Sequence, residues 1–235
     1  MKGSRLKQAL YYQLSDFGWS SLYVYGITAA IVVAIGFLVT TSTSESGIDF
    51  GIGIVGFVHL LIVGIDGIRE YLRFFLQHGI GRSTIFFSNL FASLICSIAL
   101  GLFCELFNLF TGYWFSDAVF GHAFAVRGLI VGWMLHAVFF FFAWQVGAMI
   151  SLIYYRLNKV QQSVFSVASI ATIILAFSGG IRRLASASDE FVDMIQRAVD
   201  NPLGLTSIVF WAVLALGILS AVGSYLLIRR VHVRE

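Results

Sequence analysis

The sequence is poor in charge, in proline and in cysteine. Asp, Glu, Lys and Arg make up 11% of the 235 residues, whereas soluble domains carry about 25%. Because 59% of the residues are hydrophobic and the mean hydropathy is +0.89, an ordinary soluble domain is excluded and a polytopic membrane protein is indicated. No stretch is left for a separate soluble domain, so residues 1–235 are expected to form a single transmembrane domain.

The scarcity of cysteine also excludes a disulfide framework. The two cysteines, Cys96 and Cys104, fall in one apolar run. On one helix they lie about 12 Å apart at a rise of about 1.5 Å per residue, which is too far for a bridge.

Several catalytic motifs are missing from the sequence. It has no G-x-x-x-x-G-K-[ST] phosphate loop, no H-E-x-x-H zinc motif and no G-x-S-x-G nucleophile elbow. We therefore expect no enzyme activity, no cofactor and no metal in this chain. The net charge of +3 does not indicate a nucleic-acid partner, because the basic residues are dispersed at the ends of apolar runs.

Apolar runs of the length that a bilayer requires predict an all-α fold with six membrane-spanning helices. The predicted spans cover residues 22–39, 50–66, 85–110, 128–155, 164–177 and 203–228. Strand alternation typical of a membrane barrel is lacking. Most of the fifteen Lys and Arg residues fall on one side if both termini are cytoplasmic, and this bias sets the predicted orientation.

Two polar segments are predicted to form short helices outside the spans. Residues 1–20 repeat leucine at positions 6, 10 and 14, which predicts an interfacial helix on the cytoplasmic face; a frayed tail is the alternative. Residues 179–202 repeat Phe191, Ile195 and Val199 at the same spacing. They predict a short helical extracellular insertion between spans 5 and 6, closed by Pro202, the only proline.

The polar stretch between spans 2 and 3 predicts a short amphipathic helix on the cytoplasmic surface. Polar residues recur there every fourth position, aromatic residues occupy the opposite face, and two glycines follow. We interpret this helix as a docking site for a partner; an ordinary solvated loop is the alternative. The candidate docking residues are Arg69, Glu70, Arg73, Phe74, Phe75, Gln77, Gly79, Gly81 and Arg82.

Glu105 is the one acidic residue predicted deep within a span. A charge at that depth costs a few kcal/mol. The carboxylate would then line a translocation path or pair with another residue of the assembly. Alternatively, its side chain extends to the outer membrane interface, or it is protonated. Arg127 opens span 4 in the same half of the membrane and is a candidate partner. His59 and His136 also fall within spans, where interhelical hydrogen bonding is a commoner role than metal binding.

The six spans and the loop pattern F-x-x-x-G-x-x-R-x-x-x-F resemble the permease subunits of bacterial ABC transporters of the ABC-2 type. Here the pattern is formed by Phe75, Gly79, Arg82 and Phe86. The resemblance covers nearly the whole chain as architecture. It implies that the 69–82 segment is a coupling helix seated in a separate ATPase subunit, which binds ATP and Mg²⁺. It also implies a second permease chain and a location in the bacterial plasma membrane.

The function implied is export of a peptide, lipid or other amphipathic substrate, driven by the partner ATPase. The sequence is also compatible with two other functions. The chain could act alone as a secondary transporter or channel-like carrier that uses Glu105. It could also be a non-transporting assembly or sensor subunit of the membrane.

Overall fold

The fold is known from a computed structural model, which describes residues 2–42, 52–110, 129–158, 160–164 and 202–229. These residues are helical apart from short turns at 78–81 and 157–158, and they contain no strand. The long helices among them are α1 (Lys2–Ser42), α2 (Ile52–Gln77), α3 (Arg82–Phe110), α4 (Leu129–Arg156) and α5 (Pro202–Arg229).

Three helices within the described ranges are long and apolar enough to cross a membrane. The qualifying segments are Arg82–Phe107, Gly132–Arg156 and Phe210–Arg229. They identify the chain as a helical membrane protein, and they coincide with the predicted spans at 85–110, 128–155 and 203–228.

The three remaining predicted spans do not coincide with a qualifying segment. Those at 22–39 and 50–66 lie within α1 and α2, which are helical but are not among the three qualifying segments. Nearly all of the span predicted at 164–177, and the insertion predicted between spans 5 and 6, lie outside the described residues.

α1 corrects the prediction of a separate interfacial helix at residues 1–20. It is one uninterrupted helix of 41 residues that runs antiparallel beside α2. Arg5 contacts the turn after α2, Asp16 contacts α2 near its end, and Ser21 contacts α2 about three turns deeper. The physical reason is a face at four-residue spacing that packs between α2 and α3. Ala9, Gln13, Phe17 and Tyr25 are buried on this face, and Ser21 is half-buried.

α2 corrects the prediction of a separate surface helix between spans 2 and 3. The helix continues without interruption from Ile52 to Gln77, so the charged stretch forms its last turns. The buried face continues through these turns as Ile68, Tyr71, Leu72 and Phe75, which belong to one core cluster with residues of α1, α3, α4 and α5. Because this packing holds the helix to the bundle, no break is needed at the predicted membrane boundary.

α4 lies at the centre of the bundle and packs against α2, α3 and α5. Its approach to α2 is a backbone contact through two glycines: a Cβ on Gly64 would clash with the Trp144 carbonyl, and a Cβ on Gly147 would clash with the Leu61 carbonyl. A Cβ on Gly101 would lie 3.0 Å from the Ala137 nitrogen. The small residues at these positions therefore permit the close approach of the helices.

Candidate functional site: a buried acid–imidazole pair and the α2–α3 turn

Buried polar side chains line the face of α3 that packs against α1 and α4. Ser88 donates a hydrogen bond to Oε1 of Gln13 at 3.0 Å. The indole Nε1 of Trp144 donates to Oδ1 of Asn89 at 3.2 Å, and Nε2 of Gln145 donates to Oγ of Ser93 at 2.7 Å. Since apolar surroundings offer no other partners, these bonds fix the register of α3 against its neighbours.

Farther along α3 from the α2–α3 turn, Glu105 meets His136 of α4. Each is 3% exposed, and Nδ1 of His136 lies 3.0 Å from Oε1 of Glu105. An ionisable pair inside a membrane bundle is by default a candidate functional site.

The backbone around the pair determines which imidazole nitrogen carries hydrogen. Nδ1 of His136 is also 3.1 Å from the carbonyl oxygen of Gly132, one helical turn earlier. Because a carbonyl can only accept, the Nδ1–H donates both to this oxygen and to the Glu105 carboxylate. Gly132 has a second role, since a Cβ there would clash with the carboxylate.

The arrangement can hold and exchange a proton without leaving an isolated charge in the bundle. Glu105 and His136 are neutral overall as carboxylate with imidazolium, and also as carboxylic acid with imidazole. Addition or loss of one proton leaves a charge shared over a hydrogen bond of 3.0 Å. Such a pair can act as a proton-binding site or as a lock between α3 and α4.

Aromatic rings close this part of the bundle. The ring of Phe140 is 5.7 Å from His136, and it fills the space left by Gly56, where a Cβ would lie 2.6 Å from the ring. Tyr25 packs against Phe103 at 5.5 Å and is 8% exposed. The pair therefore lies in surroundings that are predominantly apolar.

A second buried histidine joins α2 to α1. His59 is 6% exposed, and Nε2 lies 3.3 Å from the Ser21 hydroxyl. The prediction that His59 and His136 are hydrogen-bonded between helices is confirmed by these contacts. Among the described residues, no group of three His, Cys, Asp or Glu side chains could hold a metal ion.

Within the described residues Glu105 has a partner that the sequence did not predict, and the predicted pairing with Arg127 stays a prediction. His136 pairs with the carboxylate, whereas the predicted partner Arg127 lies outside the described residues. Counting residues from the ends of the predicted spans could have identified His136 as a partner. Glu105 is five residues before the end of predicted span 3, and His136 is eight residues after the start of span 4, so both lie at similar depth in neighbouring antiparallel helices.

The second candidate site is the turn between α2 and α3, which is a Schellman motif. The amide of Ile80 donates to the carbonyl of Phe75 at 2.9 Å, and the amide of Gly79 donates to that of Leu76 at 3.0 Å. Gly79 has φ of 69°, as the left-handed residue of this motif requires. The predicted glycine stop is thus confirmed, and α3 begins directly afterwards with a hydrogen bond from Ile85 to the Gly81 carbonyl at 3.1 Å.

The first turns of α1 hold this turn in place. Arg5 donates to the Gly79 carbonyl at 3.2 Å, and Tyr12 stacks on Phe74 with ring centroids 5.1 Å apart. The Tyr71 hydroxyl donates to Asp16 at 2.7 Å. Burial, followed by this hydrogen bond, raises the pKa of Tyr71 above its usual value. The last turns of α2, the turn at 78–81, and the first turns of α1 and α3 therefore pack together. We call this region the corner.

The structure separates the predicted docking residues into exposed and buried sets. Phe75 is 3% exposed and belongs to the core, so it offers no surface to a partner. Phe74 is 37% exposed, and Arg82 is half-buried with its guanidinium on the carbonyl of Arg229 at 3.2 Å. The remaining docking residues are exposed: Arg69, Glu70, Arg73, Gln77, Gly79 and Gly81.

Comparison with known proteins gives no relatives: no protein-family model, curated protein or solved structure matches this chain.

Proposed function

We propose that this chain is the membrane-spanning permease subunit of an ATP-driven ABC transporter of the ABC-2 type. It would export a peptide, lipid or other amphipathic substrate from a bacterial cell, paired with a second permease chain. A separate ATPase subunit would bind ATP and Mg²⁺ and seat the exposed end of α2. The observation that carries the proposal is the charged, rigidly packed corner at the α2–α3 turn.

Mechanical coupling requires a surface that moves together with the spans. Arg69, Glu70 and Arg73 are exposed on the last turns of α2, and the same helix continues into the backbone contact with α4 at Gly64. A force applied at these turns is therefore transmitted along α2 to the central helix, because no flexible segment intervenes. Two such states with different partner contacts are sufficient for ATP-driven alternation of access.

Charge reversal on this corner tests the proposal. The chain is co-expressed with a candidate P-loop ATPase subunit, and co-purification and ATP hydrolysis are measured. We expect R69E/R73E to insert normally but to lose the ATPase or its stimulated hydrolysis. K7E is the matched control, because Lys7 is exposed on α1 at the same end of the bundle and lies outside the proposed docking set. Retention of full coupling by R69E/R73E would refute the assignment.

Phe75 is not a suitable position for testing whether a partner docks on the α2–α3 turn. Because the side chain is buried, F75A removes core packing and reports on stability rather than on docking. F74A truncates an exposed ring and is the informative aromatic variant.

A second candidate function is favoured by the Glu105–His136 pair. A carrier that works alone and binds protons needs a titratable group inside the bundle, and this pair supplies one. The purified chain, reconstituted without any ATPase into liposomes holding a pH-sensitive dye, is examined for proton flux under an imposed potential. Flux that disappears in E105Q would establish this second function and remove the need for an ATPase; absence of flux favours the permease.

A further inference from the structure

A fully apolar groove runs between α3 and α5, with α4 as its floor. Its volume is about 490 Å³. The walls are Phe86, Phe87, Leu90 and Leu94 from α3, Phe141 from α4, and Leu214, Ile218, Ala221, Val222 and Tyr225 from α5. At the end nearest the α2–α3 turn, Phe86 and Tyr225 lie side by side with ring centroids 5.0 Å apart.

The groove has the depth of one membrane leaflet. From Phe86 to Leu94 it follows roughly 12 Å of α3, and from Leu214 to Tyr225 roughly 17 Å of α5, at about 1.5 Å per residue. Half of a hydrocarbon core of about 30 Å is about 15 Å. The groove thus extends from the turn end of the bundle to about the middle of the membrane.

Two arginines mark the end of the groove at the membrane surface. Arg82 begins α3 and Arg229 ends α5, and the guanidinium of Arg82 donates to the Arg229 carbonyl at 3.2 Å. Neither side chain has a carboxylate within 4.0 Å among the described residues. Positive charge above an apolar slot of leaflet depth complements a lipid with an anionic headgroup.

We propose that this groove binds one anionic glycerophospholipid of the leaflet on the turn side. An acyl chain lies along Leu90, Ile218 and Val222, and the phosphate lies between the guanidinium groups of Arg82 and Arg229. The site shares Arg82 with the predicted docking residues but includes none of the exposed residues of α2, and it does not depend on the proposed transport function.

Native mass spectrometry of the purified full chain tests the site. The protein is equilibrated with phosphatidylglycerol and phosphatidylcholine that carry identical acyl chains. We expect one retained phosphatidylglycerol per chain and a preference of about 25-fold, which corresponds to about fivefold for each guanidinium. In R82Q/R229Q the preference should fall to about one. R69Q/R73Q removes the same charge from the same end of the bundle and should retain the preference.

A second pair of variants tests the apolar part of the site. This test remains valid even if R82Q/R229Q does not fold. Val222 and Leu219 are both exposed on α5, at 51% and 65%, but only Val222 lines the groove. V222W should reduce retention of either lipid at least tenfold, and L219W should leave it unchanged. The proposal is overturned if the wild type shows no preference, if R82Q/R229Q keeps it, if R69Q/R73Q loses it equally, or if the two tryptophan variants behave alike. A wild type that retains no lipid, as when another segment of the chain fills the groove, also overturns it.

Discussion

Separate and joint replacement of Glu105 and His136 by leucine tests whether these residues act as a pair. His136→Leu leaves a carboxylate that is 3% exposed without its only partner in the described structure. Loss of one member of a buried ion pair costs about 3 to 5 kcal/mol. Glu105→Leu is milder, because the Nδ1–H keeps the Gly132 carbonyl at 3.1 Å; we expect about 1 to 2 kcal/mol.

The double variant E105L/H136L should be close to the wild type. It removes both polar groups, and replacement of a buried pair by apolar side chains is often neutral. The two single effects should therefore not add, and the coupling free energy should be about 4 to 7 kcal/mol in magnitude. Glu70→Leu is the control for loss of an acid, because Glu70 is exposed on α2; it should change the free energy of unfolding by less than about 0.5 kcal/mol.

Unfolding in mixed micelles by added SDS, followed by far-UV circular dichroism, gives these free energies. A maleimide dye supplies a local readout, because Cys96 and Cys104 are buried on α3 at 2% and 0% exposure and react when the bundle opens. Additive losses in the double variant would show that the 3.0 Å contact carries no interaction. Equal losses in the two single variants would contradict the role given to the Gly132 carbonyl.

Three further predictions concern the corner and the helix crossings. Gly64→Ala should lower the free energy of unfolding by about 1 to 3 kcal/mol, because the added Cβ would clash with the backbone of α4. Gly26→Ala is the control in the same SDS titration. It should be neutral or stabilising, because nothing lies within 4 Å of the added Cβ. Gly79→Ala should cost roughly 1 kcal/mol at φ of 69°, and Gly79→Asn should cost less; equal costs would contradict the left-handed assignment. Tyr71 has a raised pKa in the folded state, so its contribution is complete below about pH 10 and is lost as the pH rises further. Thermal unfolding between pH 9 and 11 should therefore depend less steeply on pH in Tyr71→Phe, and an unchanged slope would contradict the raised pKa that burial and the hydrogen bond to Asp16 produce.

Much of the helical framework follows from local sequence. The ends of α3, α4 and α5 lie within three residues of the predicted spans, because apolar runs of spanning length have clear polar flanks. The stop at Gly79 was also predictable, since a glycine after an amphipathic stretch is typical of a helix C-terminus. These are properties that one helix expresses by itself.

The incorrect predictions concern packing between helices. A surface helix and the last turns of a span have the same periodicity, so the sequence does not show that α2 continues to Gln77. The burial of Phe75 and the antiparallel course of α1 depend on a partner that periodicity does not name. The contact between Glu105 and His136 was not predicted, because it depends on the relative depth of two helices; the pairing of Glu105 with Arg127 stays a prediction.

The central place of α4 has a consequence for the order in which the protein matures. α4 follows α1, α2 and α3 along the chain, yet it supplies the partners of Asn89, Ser93 and Glu105. While the ribosome is still making the first half, these polar groups have entered lipid without the side chains that will satisfy them. The nascent half is therefore a species that insertion machinery must shelter, and substitutions in α4 should reduce yield during biosynthesis more than their effect on the finished bundle suggests.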